Sequence, residues 1–199
     1  MSYYFSVQPD SPHDEQTWSF ALRGINMRFI TDNGVFSKRT VDYGSRVLIN
    51  VINNEMFPAG PLLDMGCGYG PIGLSLAATT NRQVTMVDVN ERALNLAKRN
   101  AKLNHISNVS IFASDVYSNI NSKFAGIITN PPIRAGKKVV DQILTQAKDY
   151  LLPGGKILAV IQKKQGAPSA KKLLATTFGN VEIIKRDKGY YVLSSQLDN

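Results

Sequence analysis

Leu62-Leu63-Asp64-Met65-Gly66-Cys67-Gly68-Tyr69-Gly70-Pro71-Ile72-Gly73 is the stretch that decides the fold of this chain. Two apolar residues run into a carboxylate, glycines follow at alternate positions, and a helical pattern opens at Pro71. The stretch therefore predicts a short strand, a tight turn and a helix N-terminus. Glycine permits positive φ and close approach to a ligand, and proline at the first helical position gives up an N–H that has no partner there. This is the pattern of a nucleotide-cofactor loop. Gly68, Gly70 and Gly73 fit the dinucleotide spacing G-x-G-x-x-G, with Asp88 about 20 residues on for ribose hydroxyls. Asp64 argues for another cofactor. A pyrophosphate wants N–H groups and a positive helix end, and a carboxylate just ahead of the glycines opposes it. S-adenosylmethionine has no phosphate, and its ammonium and sulfonium attract a carboxylate. A nicotinamide or flavin dinucleotide is the alternative.

The rest of the chain alternates strands and helices around this loop. Pro61–Met65 is the first central strand and Pro71 to Ala78 its helix. Val84–Asp88 follows as a second, mostly apolar strand, as expected of a buried parallel sheet. Asn90 caps a helix to Asn104, with Ala93, Leu94, Leu96, Ala97 and Ala101 inward and Arg92, Lys98, Arg99 and Lys102 on a solvated face. Val109–Ala113 and Phe124–Thr129 are two more strands. Val139–Leu152 reads as a helix closed by Pro153-Gly154-Gly155, then Lys156–Ile161 as a fifth strand. A helix over Ser169–Thr177 leads to Val181–Arg186 and Tyr190–Ser195, an antiparallel hairpin turned by Asp187-Lys188-Gly189. The fold class is α/β: a doubly wound, mostly parallel seven-stranded sheet with an antiparallel C-terminal hairpin. Ahead of it, residues 1–15 read as a loosely ordered lead-in. Thr17–Thr31 reads as a small β-hairpin and residues 42–52 as a helix capped by Thr40 or Asp42.

Composition narrows the function. At 199 residues the chain reads as one domain, or one domain with a small appendage. Its 43% hydrophobic and 19% charged residues are those of a soluble globular protein, with no membrane span or secretory leader. A single cysteine excludes a disulfide framework and points to the cytoplasm. Cys67 reads as a small residue fitted to a crowded turn. His13 and His105 are isolated, and nothing suggests a metal. The net charge of +8 favours a polyanionic partner, nucleic acid first.

Four strand tips carry polar groups: Asp64, Asp88, Asp115 and Asn130. Strand carboxyl ends are where an open α/β sheet binds ligand. Acids there suit an adenosyl ligand whose ammonium, ribose hydroxyls and exocyclic amine are all donors. Asp64 is assigned to the ammonium side of the loop, Asp88 to the ribose diol and Asp115 to the adenine amine. Asn130-Pro131-Pro132-Ile133 sets the reaction. An amine conjugated to a purine or an amide is a poor nucleophile. The Asn130 side-chain carbonyl and the Pro131 backbone carbonyl can accept its hydrogens, aim its lone pair at a methyl group and stabilise the charge that develops on nitrogen. The prolines fix those acceptors beforehand.

Taken together, these motifs resemble class I S-adenosylmethionine-dependent methyltransferases of the amino-nitrogen type. Gly34-Val35-Phe36-Ser37, Asp42-x-Gly44-Ser45, Asp64-Met65-Gly66-Cys67-Gly68-x-Gly70 and Asn130-Pro131-Pro132-Ile133-Arg134-Ala135-Gly136-Lys137 are similar to the ribosomal small-subunit guanine-N2 methyltransferases (RsmC type), in a short single-domain bacterial form. The resemblance runs from about Thr17 to the end. It implies N2-methylation of a guanine in 16S ribosomal RNA, with ribosomal RNA or a ribosomal particle as partner. Longer members carry a degenerate duplicate domain that this chain lacks. On this reading residues 1–40 are an N-terminal extension with an RNA-contacting loop, and 41–199 the methyltransferase domain. Asp64, Gly66, Cys67, Gly68, Gly70, Asp88, Val89, Asp115, Val116 and Asn130 hold the cofactor, and Asn130, Pro131, Pro132 and Ile133 are catalytic.

One position departs from the pattern. Many amino-methyltransferases have an aromatic where this chain has Ile133, forfeiting stacking of about 1–3 kcal/mol per base. Phe36 is expected to supply part of the platform. Lys38 and Arg39, with the loop cations Arg134, Lys137 and Lys138, are expected to clamp the RNA backbone around an extruded base. Lys163-Lys164 and Lys171-Lys172 read as solvated surface. Methylation of a protein glutamine or of DNA adenine, and a non-catalytic RNA-binding protein on the same fold, are the alternatives.

Overall fold

The structure, a computed structural model, describes residues 11–198. Strands β1 (Gln16–Leu22) and β2 (Ile25–Thr31) form the N-terminal hairpin. Arg23 and Gly24 both take positive φ (49° and 79°), the two-residue turn whose twist suits a hairpin. β2 is docked by two asparagines one helical turn apart on α3 (Glu91–Leu103, C-capped by Asn104). The Asn100 side chain accepts from the Ile30 N–H (2.7 Å) and donates to the Ile30 carbonyl (3.0 Å). Asn104 makes the same pair with Arg28 at 2.9 and 2.7 Å. Leu22, Met27 and Phe29 share one apolar cluster with Leu94, Ala97 and Leu48, so the extension is folded into the domain's own core.

The main sheet has seven strands: β3 (Leu62–Met65), β4 (Val84–Asp88), β5 (Val109–Ala113), β6 (Phe124–Thr129), β7 (Leu151–Gln162), β8 (Glu182–Asp187) and β9 (Tyr190–Gln196). Their order across the sheet is β5-β4-β3-β6-β7-β9-β8. The first five are mutually parallel, and β9 runs antiparallel to both β7 and β8. One face packs α1 (Tyr43–Val51), α2 (Pro71–Thr79), α3 and the hairpin; the other packs α4 (Lys137–Tyr150) and α5 (Ala167–Phe178). This is the doubly wound architecture expected from the alternation. Among the described residues no helix is long and apolar enough to cross a membrane.

Several expectations are corrected. α4 spans Lys137–Tyr150, not Val139–Leu152, so Lys137 and Lys138 occupy its first turn and lie outside the preceding loop. Pro153-Gly154-Gly155 does not stop a helix; it is a bulge inside β7, where the partner register jumps from Phe124–Leu151 to Gly126–Lys156. The freed groups bond to the chain end: Gly154 N–H donates to the Leu197 carbonyl and Leu197 N–H to the Gly155 carbonyl. The expected lead-in falls largely on residues 1–10, outside the described residues. Residues 11–15 are tied down. Arg92 donates to the Ser11 carbonyl, Arg99 pairs with Glu15, and His13 Nδ1 lies 2.5 Å from the buried Asp32 carboxylate. The cationic face of α3 thus anchors the N-terminal segment, and His13 is not isolated.

Candidate active site

The loop after β3 is shaped by backbone. Gly66 and Cys67 N–H groups both donate to the Val87 carbonyl at 2.9 Å, which holds the loop against β4. Gly66 and Gly68 sit at φ 77° and 56°. A Cβ at Gly68 would meet nothing within 4 Å, so the loop there faces open space into which a ligand fits closely. At Gly73 a Cβ would lie 2.7 Å from Met86 and 2.9 Å from Asp64; that glycine lets α2 pack on the sheet. Gly70 serves the same packing, against Leu74 and Met86, and is not on the cavity wall.

A cavity of about 600 Å³ opens over the carboxyl ends of the strands, within the range of small-molecule sites. Its wall includes Gly66, Cys67, Gly68, Asp88, Val89, Asp115, Val116, Asn130, Pro131, Pro132 and Ile133. Asp88 Oδ2 accepts from Gly68 N–H and Oδ1 from Asn90 N–H, each at 2.9 Å. Burial raises its carboxyl above the usual range, opposed by those N–H groups and that of Val89. The Asp115 side chain is exposed at the rim, with its N–H held by Ser118 Oγ at 3.1 Å. Cys67 is buried, its thiol pushed well up by burial and the nearby Asp64 and Asp88 charges, and so is no nucleophile.

Asp64 departs from the expectation. It is fully buried beneath the loop and off the cavity wall. Oδ2 accepts from Gly73 N–H at 2.7 Å, while Oδ1 has no partner. Burial, with a smaller contribution from Asp88, raises its pKa to about 7 against the Gly73 hydrogen bond. The carboxylates on the wall are instead Asp42, Asp88 and Asp115.

Asn130, on the cavity wall, immediately follows β6. Its Nδ2 donates to Asp42 Oδ2 (2.8 Å) and to Ser45 Oγ (3.0 Å). The same Asp42 oxygen caps α1 by accepting from Ser45 N–H at 3.0 Å. A Cβ at Gly44 would sit 2.9 Å from the Tyr190 ring, so glycine there admits Tyr190 to the wall. Sequence reasoning offered Asp42 as a helix cap, which it is, but gave Asp42-x-Gly44-Ser45 no task toward Asn130. Tyr190 and Gln165, also on the wall, it missed. Gln165 follows β7, which pairs with β6, and Tyr190 opens β9 on the far side of β7, an order that the local sequence pattern does not carry.

The segment carrying Phe36 is fixed at three points. Asn90 Nδ2 donates to the Gly34 carbonyl (2.9 Å), Trp18 Nε1 to the Lys38 carbonyl (3.0 Å) and Tyr69 Oη to the Thr40 carbonyl (3.2 Å). Trp18, Phe29 and Tyr69 pack ring against ring behind it. Phe36 itself is on the wall and 43% exposed, an unusual setting for a large apolar side chain on a pinned loop.

The expected cations divide. Lys38 is corrected: its ammonium bonds to Asp14 and to Asn33 Oδ1, so it is a strut of the N-terminal segment rather than a phosphate contact. Arg39 is exposed but off the wall, and Arg134 is exposed on it. Lys137 is exposed and paired with Asp141, and Lys138 is exposed beside it. Lys163 and Lys164, both exposed, precede wall residue Gln165, and the Lys163 N–H donates to the Gly189 carbonyl next to Lys188 (2.7 Å). Among the described residues no group of three or more His, Cys, Asp or Glu is placed to hold a metal.

An open sheet that binds a ligand over its first strands and closes with an antiparallel hairpin is the class I methyltransferase architecture, and acceptor groups on the wall fit a ligand rich in donors. More particularly, the family described as "Methyltransferase small domain" matches residues 26–194, and the chain belongs to it. A Bacillus subtilis relative called uncharacterized protein YbxB is 49% identical over 197 residues, covering 98% of both chains. The ribosomal RNA small subunit methyltransferase C of Haemophilus influenzae is 34% identical over 201 residues, 96% of this chain and 59% of that one. This chain thus spans about three fifths of that relative. Among solved structures, the Thermus thermophilus 16S rRNA N2 G1207 methyltransferase (RsmC), in complex with AdoMet and guanosine, has a TM-score of 0.83 at 25% identity. It is matched over 94% of this chain and 51% of its own.

Proposed function

We propose that this methyltransferase uses S-adenosylmethionine to methylate the exocyclic N2 amine of a guanine in RNA, 16S ribosomal RNA in the first instance. The observation that carries the reading is the Asn130 amide: its NH₂ is held by Asp42 and Ser45, which leaves Oδ1 as the acceptor turned to the substrate. When bound, S-adenosylmethionine supplies a methyl group on a cationic sulfur. Asp88 holds the ribose diol and Asp115 the adenine amine, with Val89 and Val116 as apolar contacts. Gly66, Cys67 and Gly68 let the methionine end approach the backbone, and the Asp64 charge beneath the loop favours its cationic groups. Asn130 Oδ1 and the Pro131 carbonyl accept the two amine hydrogens and hold the lone pair toward the methyl, a preorganised pair that needs no reorientation during transfer. Pro132 and Ile133 shape one face of the base pocket and Phe36 the other.

Arg134, Lys137, Lys138 and Arg39 meet backbone phosphates, a role consistent with the net charge of +8. The likeness to RsmC supports a ribosomal target, and with it a cytoplasmic setting. The test is incubation of the purified protein with labelled S-adenosylmethionine and unmethylated ribosomal RNA or small subunits, followed by nucleoside mass spectrometry. N2-methylguanosine is expected. Label in N6-methyladenine of DNA, or on a protein glutamine, would transfer the reading to that substrate. Absence of cofactor binding by calorimetry would favour a non-catalytic RNA-binding role.

A further inference from the structure

We propose that Asp42 and Ser45 act as positioning residues that lock the Asn130 amide in one of its two orientations, and so make the site select a donor group at the target. The inference rests on the function proposed above and concerns how that site recognises an amine. A planar amide presents donors on one side and an acceptor on the other, and a half-turn about its last bond exchanges them. Ordinarily the orientation is ambiguous, but here the neighbours decide it. An ionised Asp42 carboxylate can only accept, so the edge at 2.8 Å from it is the NH₂ edge. Ser45 Oγ, 3.0 Å away, takes the second proton. Both amide protons are thereby used on one side. Oδ1 of Asn130 is not among the buried polar atoms lacking a partner, and Asn130 itself lies on the cavity wall. The acceptor therefore faces the cavity.

The lock is encoded in four consecutive residues. Asp42 is oriented by its own capping bond to the Ser45 N–H, so the carboxylate cannot swing away without uncapping α1. Gly44 leaves room for both groups: a Cβ there would come within 3.1 Å of Asp42 Oδ2 as well as against Tyr190. One carboxylate oxygen thus starts a helix and aims an amide 88 residues away in the chain. With the lock removed, Asn130 is free to present its NH₂ to the target, where two donors would oppose each other. The amine would then lose the bond that holds its lone pair in line.

Three variants separate the lock from helix capping. Asp42→Asn keeps an oxygen where the Ser45 N–H demands one, so it preserves the orientation without the charge; turnover within about tenfold of wild type is expected. Ser45→Ala removes one acceptor, and Asp42→Gly with Ser45→Ala removes both, glycine being tolerated at an N-cap. For the double variant kcat is expected to fall about 100-fold, the scale of misplaced catalytic groups, with unchanged calorimetric affinity for S-adenosylmethionine. Its thermal midpoint identifies any loss that is merely structural. The selective readout is inhibition of RNA methylation by guanosine against inosine, which lacks the 2-amine. Wild type prefers guanosine, and the double variant is expected to lose that preference. A folded double variant with unchanged kcat and guanosine preference overturns the inference. A wild-type protein that methylates no guanine overturns the functional reading itself.

Discussion

The two halves of the cavity are made in different ways. The cofactor half, over β3, β4 and β5, is one continuous run of strand, turn and helix, and its groups are fixed by backbone: Gly66 and Cys67 on the Val87 carbonyl, Asp88 on Gly68 and Asn90. The other half is collected from residues 35–45, 130–135, 165 and 190, and is fixed by side chains reaching across the chain, Asn130 to Asp42 and Asn90 to Gly34. Local backbone geometry survives changes elsewhere in the chain. A cross-linked wall depends on each partner, and so single substitutions there should act on turnover and RNA rather than on cofactor binding.

The largest effect expected breaks this comparison from the cofactor side, at Asp64. Its pKa of about 7 in the folded protein lies above the unfolded value of 3.8. Between those values the native state keeps a proton that the unfolded state has lost, so rising pH stabilises the unfolded chain. Stability of the ligand-free protein attributable to this group should therefore fall from about pH 4 to pH 7, by about 4 kcal/mol for a shift of that size, and be level above. Asp64→Asn removes the titration while an amide oxygen can still accept from Gly73. Denaturant unfolding of both proteins from pH 4 to 8 measures the difference; parallel curves would mean that Asp64 is ionised throughout.

Next comes the other half, at its centre. Asn130→Ala should lower kcat by roughly 10²–10³, the scale of removing one preorganised group from a charge-stabilising site. Its calorimetric affinity for S-adenosylmethionine should stay close to wild type. Equal losses in kcat and cofactor affinity would merge the two halves into one. Phe36→Ala is smaller. If the exposed ring stacks on the base, the KM for RNA should rise by a factor corresponding to about 1–3 kcal/mol, with free guanosine affected in the same direction. Unchanged RNA turnover would make Phe36 a packing residue only.

How much of this was legible in the sequence follows the same division. Periodic apolar runs and glycine spacing located every strand and helix of the parallel sheet, because those signals are local. Asp88 and the glycine loop were readable for the same reason. That Asp64 lies beneath the loop and off the cavity wall was not legible, because its position depends on α2 packing through Gly73. The bulge at Pro153-Gly154-Gly155 was misread as a helix stop because its bonds go to Leu197, over 40 residues on. Lys38 looked like a phosphate contact beside Phe36, but the hairpin returns Asp14 to it. Lys163 and Lys164 read as surface and are exposed, but the insertion of β9 between β7 and β8, which bonds Lys163 to Gly189 next to wall residue Tyr190, was not legible.

That last exchange gives the smallest and most discriminating prediction. Lys38 and Lys163 carry the same charge and each lies within two residues of the cavity wall, but one is bonded inside the fold and the other is exposed. If exposed cations at the mouth release counterions from RNA, Lys163→Ala with Lys164→Ala should weaken RNA binding evenly across sequences and reduce the salt slope by about one per lysine. Melting temperature should hardly change. Lys38→Met should do the reverse, leaving the salt slope as it was and lowering stability through the loss of its bonds to Asp14 and Asn33. Filter binding of RNA over a series of salt concentrations, paired with thermal unfolding, reads both. A reduced slope for Lys38→Met would put its ammonium on RNA and take Asp14 for a competitor rather than a strut.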